Sequence, residues 1–258
     1  MLRIVKTLSV LAFLIAASPL YAASPGLPAK IEIVTEELPP YHYSEGGKVT
    51  GLSTEIVQAV LDRLGIVGHF TVLPWPRAVR EAENAPNVLI YLIVRNASRE
   101  HRFKWVGEIA QGKNVLYCLA DRDIKLASLD DAKKYVIGTV YRDFREDYLL
   151  QHGFIQGGNL DSAVSNGLNY PKLKSGRIDL WISDPVVMNY LVRAAGDDPK
   201  QTVKAAYQIN DPAINTTAEM AFGLKTDDRV VEAFHTALES IKADGTFAAI
   251  VKKWSIDP

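Results

Sequence analysis

The 258-residue chain predicts an α/β fold arranged as two compact lobes. Three observations carry that expectation. Short β-branched or apolar runs alternate with amphipathic helical stretches along nearly the whole sequence. The alternation restarts after the run NVLYCLA (114–120), giving a second set of β-α units. No low-complexity linker, internal repeat or charge block separates the two sets, so strand-like crossovers rather than a flexible tether join them.

Residues 1–23 place Arg3 and Lys6 ahead of the apolar run LSVLAFLIAA and a small-residue segment ending near Ala22 or Ala23. This is the pattern of a cleaved export signal, with the run too short to span a bilayer. No cysteine follows it to carry a lipid. IEIVT (31–35) then reads as a strand, and PPYHYSEGGK as a turn-rich segment. STEIVQAVLDRLG sets Ile56, Val57, Val60, Leu61 and Leu64 on one helical face and stops at Gly65. HFTVL (69–73), PRAVREAEN (76–84) and VLIYLIV (88–94) continue as strand, helix and buried strand, which predicts a largely parallel sheet with helices on both faces.

In the second set, SLDDAKK (128–134) reads as a capped helix leading into the strand YVIGTV, and FREDYLLQHG as the helix that follows. LDSAVSNGLNYPKLKSG leads into the strand RIDLWIS (177–183) and a helix through VVMNYLV. MAFGL (220–224) is a further strand. Val231, Phe234, Leu238 and Ile241 form the stripe of a long helix closed by Gly245.

Without the export signal the chain holds 27 basic and 30 acidic residues, a net charge of −3 with neutral histidines. That argues against nucleic acid or an anionic membrane as the main partner. The single cysteine, Cys118, has no partner for an internal disulfide and sits in an apolar run suited to a core. The five histidines lack zinc spacing, and there is no phosphate loop, nucleophile elbow or cysteine-centred constellation, so neither a metal nor a cofactor is expected. The cluster Arg99, His101, Arg102 and Lys104 ahead of Trp105 is a solvated turn, an anion site or part of a ligand clamp. Asp184, with Pro185 after it, suits a helix N-cap.

Five fragments in order resemble the type II periplasmic solute-binding proteins of amino-acid ABC transporters, the bacterial solute-binding family 3. They are ELPPYHYSEGGKVTGLSTEIVQAVLDRLG, LPWPRA, VRNASREHRFKWV, LKSGRIDLWISDPVVMNYLV and ALESIKADGTFAAIVKKW. The resemblance covers about residues 30–255. It implies a two-lobe fold with residues 24–115 and 218–258 in the first lobe and 116–217 in the second, closing on a ligand by a hinge. It also implies a monomeric periplasmic receptor that serves a membrane permease.

By the same resemblance, Arg99 pairs with a ligand carboxylate, for which its planar fork of donors is suited. Asp184 holds an ammonium group, at the strand end where open α/β sheets place ligands. Trp75 offers a ring to the ligand's side chain, and Tyr41, in preference to Tyr43, acts as a clamp aromatic. Arg77, two residues beyond Trp75, is a further candidate that would favour an acidic ligand, against a solvated helix face. Val94 stands where the family often has Thr or Ser and retains only backbone groups for the ligand. Tyr141, Arg142 and Phe144 replace the family's small residues in a turn of the second lobe, which would fill or reshape the pocket. Lys104 replaces the acidic residue common before the aromatic. Two other roles exist on this fold: a sensory one, and a cyclohexadienyl-dehydratase-like one in which Glu36, Glu37 or Glu55 would donate a proton.

Overall fold

The computed structural model describes residues 26–215 and 217–254. The expected export signal, residues 1–23, lies outside them. Two five-stranded sheets organise the described residues. In the first, β1 (Lys30–Thr35), β4 (Val67–Val72) and β5 (Val88–Val94) run parallel, while β12 (Thr217–Gly223) lies antiparallel between β5 and β6 (Phe103–Gln111). In the second, β8 (Ile137–Val140) is parallel to β9 (Leu160–Ala163) and β10 (Leu180–Ser183). There β7 (Asn114–Leu119) is antiparallel to β10 and to β11 (Val203–Ile209).

Both sheets are therefore mixed rather than largely parallel. The cause is the crossover. The chain leaves the first sheet through β6 and returns through β12, so these neighbours run in opposite directions. The same logic sets β7 against β11 in the second sheet.

VLIYLIV is apolar throughout because β5 is covered on both faces. Leu89 and Tyr91 pack with α1 (Leu52–Leu64) and α7 (Asp228–Ala243), whose stripes include Val57, Leu61, Phe234 and Leu238. Ile90 and Ile93 face Ala78 and Ala82 of α2 (Trp75–Asn84). Fully burying each such aliphatic side chain stabilises the fold by roughly 1.5–3 kcal/mol. In the second lobe, Leu116, Ile137 and Ile182 pack with Leu149 of α3 (Phe144–Gln151), and Tyr117 and Trp181 with Val187 and Val192 of α5 (Pro185–Ala194). Cys118 is buried in the first of these clusters, as its apolar setting predicts.

Three local readings change. Residues 130–134 form a 3₁₀ turn instead of an α-helix, with Asp131 accepting from the Ser128 amide at 2.9 Å before Tyr135 turns extended toward β8. The strand expected over 177–183 begins only at Leu180, because the Arg177 amide closes α4 (Asn169–Lys174) on Lys172 O at 2.9 Å. The segment after β1 holds a small hairpin, β2 (Tyr43–Glu45) with β3 (Lys48–Thr50).

Gly51 fixes that segment to the first lobe. Its φ of 116° lies in the region that favours glycine, and a Cβ there would stand 2.5 Å from Tyr41 O. The close approach lets the Leu52 and Ser53 amides donate to Pro40 O at 3.0 Å and Tyr41 O at 2.8 Å. Gly51→Ala should cost about 2 kcal/mol or more of stability, from backbone strain and the clash together. Urea unfolding of the variant checks this, and an unchanged midpoint would contradict it.

Candidate functional site

A cleft with about 580 Å³ of empty space opens between the lobes. The first lobe lines it with Glu36, Leu38, Tyr41, Trp75, Leu92, Val94 and Arg99, and the second with Asp143, Phe144, Arg145, Asp184 and Val187. Gly112 and Asn114 lie at the crossover from β6 to β7.

Arg99 comes from the turn after β5, where its amide bonds Asn96 O at 3.0 Å. The side chain turns inward and is only 4% exposed. Its Nη1 donates to Val94 O at 3.3 Å, and the guanidinium carbon lies 5.4 Å from the Trp75 ring centroid. Burial pushes its pKa below the usual arginine value, opposed by Asp143 and Asp147 across the cleft, and arginine stays charged under all ordinary conditions. Among the described residues Arg99 has no ion-pair partner. Trp75 opens α2 with Pro74 before it and Pro76 after it, so the fixed proline φ angles restrict the backbone at this helix start.

Asp184 follows β10 and caps α5, with Oδ1 accepting from the Val186 amide at 2.8 Å. Its other oxygen accepts from the Lys113 amide at 3.2 Å. Tyr41 reaches across from the first lobe and donates to Oδ1 at 3.3 Å. Capping and a place on the cleft wall therefore coincide in one carboxylate. Tyr43 instead packs its ring 5.8 Å from that of Tyr190 and, unlike Tyr41, does not line the cavity.

Asp143, Arg145 and Asn114 were not singled out from sequence. Asp143 caps α3, accepting from the Arg145 amide at 2.9 Å. Arg145 donates through Nε to Asn114 Oδ1 at 2.7 Å and lies over the Phe144 ring at 4.4 Å. The only signal was the D-x-x-E spacing of DFRE, which marks a helix start and says nothing of a cleft.

Glu36 is the third acid of the site. Of the three glutamates considered from sequence it alone lines the cavity: Glu37 accepts from the Ser44 amide, and Glu55 pairs with Lys253. Its Oε2 is buried with no hydrogen-bond partner among the described residues. Burial first, and then the charge of Asp143, push its pKa up to about 8, against the opposing pull of Arg145 and Arg99. At neutral pH the group mostly carries a proton and can donate a hydrogen bond.

A carboxyl with a pKa of about 8 in the folded chain and an ordinary value when unfolded binds more protons in the folded state between those values. Its contribution to stability is complete below the unfolded value and is lost as pH rises through about 8. The melting temperature of the ligand-free protein should therefore decline from pH 5 to pH 8 in wild type, and Glu36→Gln should flatten that decline. Parallel slopes for the two proteins would contradict the placement of Glu36.

One further feature shapes the wall. Leu92 adopts a left-handed φ of 55° at an irregularity in the β5–β12 pairing, so its side chain reaches the cleft out of the strand's alternation.

Five of the six ligand candidates thus come together: Arg99, Asp184, Trp75, Tyr41 and Val94 all line the cleft. Arg77 does not. Its side chain is 58% exposed, reaches Glu81 at 3.6 Å and borders a neighbouring groove, because position 77 falls on the outer face of α2. In the turn with replaced residues, Phe144 lines the cleft, whereas Tyr141 and Arg142 point outward. The remaining charges of the cluster are at the surface, with Arg102 pairing with Glu83 at 2.8 Å and Lys104 pairing with Asp228.

Known proteins place this geometry in context. The chain is 22% identical over 215 residues to the L-cystine-binding protein TcyA of Bacillus subtilis, covering 83% of this chain and 75% of that one. It is 24% identical over 259 residues to the histidine-binding periplasmic protein of Salmonella typhimurium, covering 95% and 94%. The fold matches an ancestral arginine-binding protein bound to arginine with a TM-score of 0.78 at 19% identity, over 89% of this chain and 99% of that chain. Residues 31–257 carry the pattern of the bacterial extracellular solute-binding proteins, family 3, and the chain belongs to that family.

Proposed function

We propose that this protein captures a small zwitterionic solute, an amino acid or a related carboxylate, and delivers it to an ABC permease. The observation that carries the reading is a buried guanidinium without an ion-pair partner among the described residues, Arg99, in one cleft with the Asp184 carboxylate. Burying a charge is unfavourable unless it is paired, so a ligand carboxylate supplies what Arg99 lacks. Asp184 and Tyr41 offer the complementary acceptors for an ammonium group, and Trp75, Leu92 and Val187 give apolar walls for the side chain. In this reading residues 24–115 and 218–258 form the first lobe and 116–217 the second. Contacts from both lobes favour the closed state, whose shape the permease distinguishes from the open one. The chain works as a periplasmic monomer after removal of residues 1–23.

One observation favours a second reading. Glu36 holds a proton near neutral pH inside the cleft, as a general acid must, which suits a cyclohexadienyl-dehydratase-like reaction. Turnover of prephenate or arogenate by the purified protein would select it.

A thermal-shift screen over amino acids, polyamines and small carboxylates tests the receptor reading. A ligand at one hundred times its dissociation constant stabilises the folded state by about 2.7 kcal/mol. The absence of a shift with any amino acid or carboxylate would remove it.

A further inference from the structure

Beside the cleft runs a second, solvent-open groove of about 1250 Å³. The two adjoin at the stacked pair Trp75 and Arg99, which lines both. Its charge is one-sided. Arg77, Arg80 and Arg102 line it from the first lobe and Arg142 from the second, against Glu83 and Asp147. Glu83 is already held by both nitrogens of Arg102, at 2.8 Å each. Asp147 is half-buried and faces Arg99, Arg102 and Arg142 together. Arg77 has only the 3.6 Å contact with Glu81, and Arg80 and Arg142 have no ion pair among the described residues. Arg142 also takes a left-handed φ of 59°, its amide donates to Glu146 at 2.6 Å, and its guanidinium carbon lies 5.3 Å from the Tyr141 ring centroid while the residue lines the groove.

We infer that Arg77, Arg80 and Arg142 form a second anion subsite, and that the ligand is an elongated zwitterion whose far end carries an acidic group. The inference rests on the receptor reading for the inner end of the ligand. A carboxylate at the outer end meets guanidinium groups of both lobes, so its binding adds to the drive for closure. This explains why the second-lobe turn carries Arg142 in place of a small residue: the turn reads the outer end of the ligand and leaves the inner cleft to Phe144 and Arg145.

Calorimetric titration with three classes of compound tests the assignment. The first has an uncharged end (L-norleucine, L-methionine). The second has an anionic end (L-2-aminoadipate, L-2-aminopimelate), and the third is a dicarboxylate without the amine (pimelate). The second class should bind wild type about tenfold more tightly than the first, an advantage that shrinks as salt is raised, since the groove is open to screening. The double variant Arg77→Gln/Arg80→Gln and the variant Arg142→Asn, which keeps a residue tolerant of left-handed φ, should each cut the ratio between classes. Equal affinity for the first two classes, or a ratio indifferent to both variants, overturns the subsite while leaving the receptor reading intact. Binding of pimelate alone, with its affinity reduced by the variants, supports the subsite and removes the amino-acid reading. Failure of all three classes to bind overturns both. Unchanged affinities with lost uptake would assign the groove to the permease contact, against the inference.

Discussion

Arg99→Ala weakens ligand binding by roughly 30-fold or more. Removing one member of a buried charge pair leaves the other desolvated and unmatched, which costs about 2–5 kcal/mol, and each 1.4 kcal/mol is about tenfold in affinity. Arg99 is buried, bonded to Val94 O and stacked on Trp75, so its direction is set before the ligand arrives. Arg99→Lys should recover only part of the loss, because an ammonium lacks the planar fork that matches a carboxylate. Arg102, three residues on, is the control. It is exposed and paired with Glu83, and Arg102→Ala should change the affinity for an amino acid with an uncharged end by less than about threefold. Titration of the three variants, each shown to be folded, decides the matter; equal affinity for wild type and Arg99→Ala would contradict the assignment.

Asp184 separates charge from capping. Asp184→Asn keeps one oxygen to cap the Val186 amide, removes the charge and gives up the bond from the Lys113 amide, because the second oxygen becomes an NH2 donor. Its unfolding free energy should stay within about 1 kcal/mol of wild type, while affinity for an amino acid falls by roughly 30-fold or more. Asp184→Ala loses the cap as well and should add about 1–2 kcal/mol of destabilisation. An Asn variant that binds as wild type does would reduce Asp184 to a helix cap.

The place of Arg99, Asp184, Trp75 and Tyr41 on the cleft wall is legible through the family resemblance, which ties each to a landmark in one chain segment: an aromatic, a strand end, a proline turn. Glu36 was visible only as one of three glutamates. Its burial comes from the meeting of two lobes, with Asp143, Arg145 and Arg99 all bearing on it. Asp143 and Arg145 read as ordinary first-turn charges of a helix, and only the tertiary fold turns them toward the cleft. Among the strands, β5 was clear from its continuous apolar run, whereas β6 alternates imperfectly and is interrupted by Gly107 at φ 149°. β11 is an edge strand with five of its seven residues neither buried nor β-branched, so neither period nor composition marks it.

In the proposed function Arg99 and Asp184 hold opposite charges of one ligand between the lobes. A crystal structure with the most stabilising compound from the thermal-shift screen tests it most directly. The ligand carboxylate should lie within hydrogen-bond distance of the Arg99 guanidinium and its ammonium group against Asp184, with the Trp75 ring beside its side chain. A ligand bound outside this cleft, or one that leaves Arg99 without an anionic partner, would contradict it.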